Sequence, residues 1–250
     1  MVINVKNTRK PRKADSHYVA CENCGMEPVC RPVATGSQQV PLSDSYLHRR
    51  EPVAAGVSLF RKGEPMSGLF AVSSGAFRLV ESLPDGSERV LGFRFPGELL
   101  GDEAFHTRCH QTHATAITNS SVCRIQLREL EACSELVPAM QRNIIELLSR
   151  QNHYLQQQIN VLVSRKNAEQ QLVAFLLDLA SRQTEISGNR CTFDMVISRD
   201  NMASFLGFRR ETLSRLFTRL QKKGLVRLQS RQVELCDLAT LTELALKAEE

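Results

Sequence analysis

Residues 197–235 read ISRDNMASFLGFRRETLSRLFTRLQKKGLVRLQSRQVEL, and their punctuation decides the fold. A short helical pattern over about 200–205 meets a tight Leu206-Gly207-Phe208 turn; a longer one runs over about 209–222, and Gly224 stops it. That is helix-turn-helix spacing. Ala203 is small where the two helices approach, Gly207 takes the turn conformation, and Leu213 and Leu216 face a core. The other face carries Arg209, Arg210, Glu211, Ser214, Arg215 and Arg219. Arginine donates in bidentate fashion to guanine O6 and N7, glutamate accepts from cytosine N4, and serine bonds a base edge or a phosphate, so this face suits the DNA major groove. LVRLQSRQVEL then predicts a β-hairpin, with Lys222, Lys223, Arg227 and Arg231 available to phosphates. Two core helices with a solvated charged face are the alternative reading.

Upstream, NAEQQLVAFLLDLASRQ reads as an amphipathic helix and ISGNRC as a loop into the last unit. From Pro138 onward, Ile145, Leu148, Asn152, Leu155, Ile159 and Leu162 recur at alternating three- and four-residue spacing. A seam sustained for so many turns, with a single polar Asn152, fits pairing with a second copy; a helix packed on its own β domain is the alternative. From about 57 to 126, short apolar runs are broken by Gly63, Gly68, Gly75, Gly86, Gly92 and Gly97, and LPDGS turns between FRLVES and ERVLGF. This predicts a small antiparallel β domain.

A chain of 250 residues with 42% hydrophobic content has room for two domains. No run approaches the roughly 18 apolar residues of a membrane span, and the basic start MVINVKNTRKPRKADSH lacks the apolar stretch of a signal peptide. The expected location is cytoplasmic, with no membrane partner. The formal charge of +5 permits an anionic partner without identifying one. YVACENCGMEPVC, residues 18–30, sets Cys21, Cys24 and Cys30 in a C-x2-C-x5-C pattern. In a reducing cytosol such a cluster reads as metal-binding or redox-active. HTRCHQTH gathers His106, Cys109, His110 and His113 without strict ligand spacing, and reads as polar loop residues, a metal site or a haem ligand being the alternative. Cys133, Cys191 and Cys236 fall in helical or strand patterns and read as small buried hydrophobes. With no nucleophile-and-base constellation, Gly-rich phosphate loop or clustered carboxylates, no enzyme is expected.

The order of β domain, long seam helix and winged helix-turn-helix, with LGFRRETLSRL in the recognition position, resembles the cyclic-AMP receptor and FNR superfamily of bacterial transcription regulators. CENCGMEPVC together with SSVCRI resembles its oxygen-sensing FNR branch. The resemblance implies an α+β chain with a basic arm over 1–20 and a cluster-binding segment with a cyclic-nucleotide-binding-like β-roll sensor over 21–136. A dimerisation helix over 137–164 and a winged helix-turn-helix DNA-binding domain over 165–250 complete it. It implies a homodimer on a two-fold symmetric DNA site that recruits RNA polymerase. It also implies that Cys21, Cys24, Cys30 and Cys123 hold a [4Fe-4S] cluster that senses oxygen, the alternative being a regulator of the same fold that answers another signal, with a structural zinc or no metal at those thiolates.

Resemblance assigns Glu211, Ser214 and Arg215 to the base edges of a TTGAT half-site, while Arg210 stands where oxygen-sensing members commonly carry Val and the cyclic-AMP receptor carries Arg. In the seam, Leu155 stands where those members carry an Asp that repels its symmetry mate, which predicts a dimer that outlasts the cluster. FPGELLGDEAF resembles the start of a cyclic-nucleotide phosphate cassette, but the stretch matching its Arg-Ser pair is QTHATA. No guanidinium stands there for a phosphate, so Gly97 and Glu98 read as turn and fold residues and cyclic AMP is not the expected effector.

Overall fold

The structure, a computed structural model, describes residue 24 and residues 49–128, 138–163, 167–184 and 188–246. Eight strands make two four-stranded antiparallel sheets. They are β1 (Arg49–Val53), β2 (Ser58–Phe60), β3 (Gly68–Ser74), β4 (Phe77–Ser82), β5 (Glu88–Arg94), β6 (Leu99–Leu100), β7 (His113–Ala116) and β8 (Ser120–Gln126). One sheet is ordered β1-β8-β3-β6 and the other β2-β7-β4-β5.

Alternation along β3 builds the layers, because successive side chains on a strand point to opposite faces. Phe70 and Val72 meet Phe60, Phe77, Leu100 and Ala114 between the sheets. Leu69 and Ala71 face the other way, onto Ile125 and onto Leu147 of α1 (Pro138–Val163). β3 is therefore covered on both faces, which is why it reads as a continuous apolar run. Gly75 turns β3 into β4 at φ 80°, and a Cβ there would overlap Ser120. β1 lies ahead of the expected start of the β domain. Its sequence RREPV is a short edge strand paired only with β8, where Pro52 is tolerated.

In the second half, α2 (Ala168–Gln183) starts with a reciprocal cap: Gln170 N donates to Asn167 Oδ1 and Asn167 N to Gln170 Oε1, each at 3.0 Å. β9 (Cys191–Asp194), α3 (Arg199–Leu206), α4 (Arg210–Lys222), β10 (Val226–Gln229), β11 (Gln232–Leu235) and α5 (Leu238–Leu246) complete this unit. β10 and β11 form the expected hairpin, and β9, which the sequence marks only through the helical or strand pattern around Cys191, adds a third strand in the order β10-β11-β9. Among the described residues no helix is long and apolar enough to cross a membrane.

The β-roll and the helical unit share one apolar core. Phe93 of β5 sits 6.0 Å from the Phe175 ring of α2 and 5.5 Å from the Phe205 ring of α3, and those two rings lie 5.3 Å apart. Polar contacts frame this triad. Val90 N donates to Ser204 Oγ at 3.0 Å, and Arg78 Nη1 donates to Asn201 Oδ1 at 3.2 Å. Arg182 of α2 donates from Nε and Nη2 to the two oxygens of Glu98 at 2.7 and 2.6 Å, and from Nη2 to the Phe93 carbonyl at 2.8 Å. Its guanidinium lies 4.6 Å over the Phe95 ring.

Candidate nucleic-acid interface and cysteine site

The turn between α3 and α4 follows from its residues. Ser198 caps α3, its side chain accepting from Asn201 N at 3.1 Å. Gly207 ends the helix at φ 71°, a left-handed conformation that glycine adopts without a Cβ clash. On α4, Leu213, Leu216, Phe217 and Leu220 are buried at helical spacing. Glu211, Thr212, Ser214, Arg215, Thr218 and Arg219 are exposed on the other side, next to exposed Arg209 and Arg210. Arg209 is the cap residue of α4 rather than its first helical residue, and its side chain makes no capping bond. Arg199 lies with its guanidinium carbon 3.4 Å over the Phe217 ring, where burial lowers its pKa.

The expected charged face is present, but it is less free than its sequence implies. Arg210 pairs with Asp200 at 3.3 Å, and Arg219 and Lys223 pair with Glu169 at 3.5 and 2.6 Å. On the hairpin, Arg227 faces Glu234 across the strands at 2.9 Å. Lys222, Arg209, Arg215 and Arg231 enter no ion pair among the described residues. Ser230, with φ 55°, turns the hairpin and carries Arg231 at its tip. α4 thus offers a basic groove-sized ridge, and the hairpin a basic wing beside it.

Of the four candidate cysteine ligands, Cys24 and Cys123 are described, and Cys21 and Cys30 lie outside the described residues. Cys123 sits on β8 opposite Ala71. Both Cys24 and Cys123 are half-buried and pack on one cluster built from Met66, Leu69, Ala71, Leu99, Ala104, Ile125 and Leu147. A pair of soft donors is thereby set against apolar surface at the root of α1, an environment that fits thiolate ligation of iron or zinc. Among the described residues no group of three or more metal-ligating side chains forms. Cys191 is buried and Cys236 half-buried, in keeping with small hydrophobes, and Cys133 lies outside the described residues.

The HTRCHQTH residues separate, and two of them are not the polar loop residues the sequence implies. His110 is 2% exposed, stacked 3.7 Å from the Phe60 ring at an interplanar angle of 9°, with Nδ1 3.2 Å from Glu103 Oε1. His113 lies on β7 with Nε2 3.0 Å from Ser82 Oγ. His106 is exposed, and Cys109 bridges to Pro65 through its backbone. An imidazole has a flat apolar face as well as two nitrogens, which lets His110 serve as core.

Glu98 and Gly97 are fold residues, as expected. Gly97 takes φ 92°, and the Glu98 carboxylate accepts from Phe95 N at 3.1 Å as well as from Arg182.

The seam divides its labour. Leu147, with Ile144, packs on the β-roll, so α1 does lie on its own domain. Yet Ile145, Leu155 and Ile159 remain 67%, 40% and 55% exposed, Asn152 is exposed and Leu148 half-buried. Leu162 continues the helix, its side chain outside the described residues.

Residues 170–244 match the Crp-like helix-turn-helix domain family and residues 50–135 the cyclic nucleotide-binding domain family. The transcriptional activator protein anr of Pseudomonas aeruginosa is 32% identical over 90% of this chain and 92% of its own. The chain belongs to the FNR branch of the cyclic-AMP receptor and FNR superfamily. A further relative in that branch, electron transport regulator A of Shewanella oneidensis, is 30% identical over 96% of both chains. The solved structure of FixK2 from Bradyrhizobium japonicum superposes with a TM-score of 0.73, covering 81% of this chain and 100% of that one at 24% identity, which speaks to the fold. As an FNR-branch member the chain is a DNA-binding transcription regulator of the kind that governs anaerobic gene expression, not an enzyme.

Proposed function

We propose that this FNR-branch regulator senses oxygen through a [4Fe-4S] cluster on Cys21, Cys24, Cys30 and Cys123, and acts as a cytoplasmic homodimer on TTGAT-like inverted repeats. The observation that carries the reading is the convergence of Cys24 and Cys123, far apart in sequence, on the apolar cluster that also receives Leu147 of α1. Whatever ties these thiols together also fixes the packing of α1, whose neighbouring face carries the exposed seam. When bound, the cluster supplies an oxygen-labile link between four thiolates. The chain's own part is to hold Cys123 on a rigid strand, to transmit its position through Leu147 and Ile144, and to present the seam to a second copy.

On DNA, Glu211, Ser214 and Arg215 read base edges, Arg210 adds a second guanidinium, and Lys222 and Arg231 bind phosphates. The bound dimer activates by contacting RNA polymerase; the relative in Pseudomonas aeruginosa is named a transcriptional activator, which supports activation. Cyclic AMP is not the effector. Both Glu98 oxygens are engaged by Arg182, and the segment 111–116 brings no guanidinium for a cyclic phosphate.

Anaerobic purification tests the sensor. The expected product is brown, bleaches in air, and contains about four iron and four sulfide per subunit. Serine at Cys21, Cys24, Cys30 or Cys123 should each remove colour and anaerobic DNA binding, while Cys236→Ser should keep both. Colourless protein with stoichiometric zinc and no sulfide would assign the thiolates to a structural zinc instead.

A further inference from the structure

Arg210 begins α4 and Asp200 lies in the first turn of α3, ten residues earlier, yet the turn at Gly207 folds them together. Arg210 Nη1 lies 3.3 Å from Asp200 Oδ1 and 3.4 Å from Oδ2, and both side chains are largely exposed, at 67% and 65%. Neither group has any other polar partner among the described residues. The carboxylate occupies one nitrogen of a five-donor fork and leaves the Nε–Nη2 edge, which can still donate two parallel bonds.

We propose that Asp200 is a positioning residue for base readout: it holds the Arg210 guanidinium so that its free edge meets a guanine, and thereby sets sequence preference at one base pair of each half-site. The proposal rests on the assignment of Arg210 to a base edge. Three features support it. An unrestrained arginine must lose most of its rotamer freedom on docking, and a partner that already restricts it lowers that cost. The Asp200 carboxylate is itself favoured at the N-terminal end of α3, where the helix dipole is positive, which helps to hold it in place. A carboxylate beside DNA repels phosphates, so it contributes nothing to sequence-independent attraction. Its value to a DNA-binding face lies in selectivity.

In water such an exposed pair is worth little, so the effect on preference is modest, about two- to five-fold. The test uses the full-length, cluster-loaded protein under anaerobic conditions with randomised half-site duplexes, and compares Asp200→Asn, Asp200→Glu, Arg210→Val and the double variant Asp200→Asn with Arg210→Val. Preference ratios are read within each preparation, so a smaller folded fraction does not alter them. Asp200→Asn should relax the preference at the Arg210-dependent base pair by that factor, leave the pairs read by Glu211, Ser214 and Arg215 unchanged, and have no further effect once Arg210 is Val. Asp200→Glu should restore part of it. An unchanged preference in Asp200→Asn, or an equal affinity change on every sequence, overturns the proposal while leaving base reading by Arg210 intact. If Arg210→Val itself leaves the preference unchanged, the underlying assignment has failed, and the role of Asp200 fails with it.

Discussion

Arg209 and Arg210 place two positive charges at the positive end of the α4 dipole, a position that costs about 0.3–1 kcal/mol per exposed charge. Glu211 in the first turn and Asp200 beside Arg210 offset part of that cost. A local conflict of this kind is expected where function, not stability, selects the residue. Arg210→Val should accordingly leave thermal stability unchanged or slightly higher, while moving the selected half-site towards TTGAT. A bidentate arginine discriminates by about 1–3 kcal/mol, enough to be plain in a binding selection, and an unmoved selection would rule the role out. The exposed position of Arg210 was legible in the sequence because Leu213, Leu216, Phe217 and Leu220 mark the buried side of α4 by their spacing. His110 was not, since HTRCHQTH looks polar throughout and only the three-dimensional partners, Phe60 and Glu103, reveal a core side chain. Replacing it should be expensive. His110→Ala is expected to cost about 3 kcal/mol in urea unfolding, the range for truncating a buried aromatic, whereas His106→Ala should cost less than about 0.5 kcal/mol.

Among the elements, α1 carries the most consequence per residue. Its 26 residues span about 39 Å, and two of its faces are already assigned: Leu147 and Ile144 to the β-roll, Ile145, Leu155 and Ile159 to solvent. Three exposed large apolar side chains in line on one helix are an incomplete interface, which in the proposed homodimer a second copy completes by symmetry. Leu155 removes the charge repulsion expected in the relatives, and burying its remaining 40% exposure against its mate is worth about 0.6–1.2 kcal/mol per side chain. The cluster-free protein should therefore sediment as a dimer at micromolar concentration, and Leu155→Asp should convert it to monomer. A cluster-free wild type that is already monomeric would sink the argument. The helical spacing made this element readable, because a 3.6-residue period persists whatever packs on it. By contrast β1, β9 and α5 were missed. RREPV is too polar and CTFD, though alternating, too short to stand out as strands, and in LATLTELAL only Leu238, Leu241 and Ala245 are buried while Leu246 is exposed, which blurs the helical apolar period.

At the scale of the molecule the unexpected feature is the joint, where sensor and DNA-binding unit share one core instead of being linked only through α1. No sequence pattern announces such a contact, since Phe93 alternates like any strand residue and Arg182 looks like any helix-end arginine. The Arg182 side chain is 8% exposed and its partner Glu98 24%, so the pair is mostly removed from water. Deleting one partner of a buried pair costs about 3–5 kcal/mol, and the partial exposure of Glu98 brings Arg182→Ala to roughly 2–3 kcal/mol. Phe93→Ala removes the ring that touches both Phe175 and Phe205 and should cost about 3–5 kcal/mol. Because the β-roll and the helical unit are joined through these groups, the cluster-free wild type is expected to unfold in a single calorimetric transition. The double variant Phe93→Ala with Arg182→Ala removes contacts that join the two units while leaving the interior of each, Phe77 and Val122 on one side and Leu213 and Leu235 on the other, untouched. It should therefore show two transitions instead of one shifted to lower temperature. A single, merely lowered transition would mean that the cooperativity runs through α1, and that the Phe93 triad is packing without coupling.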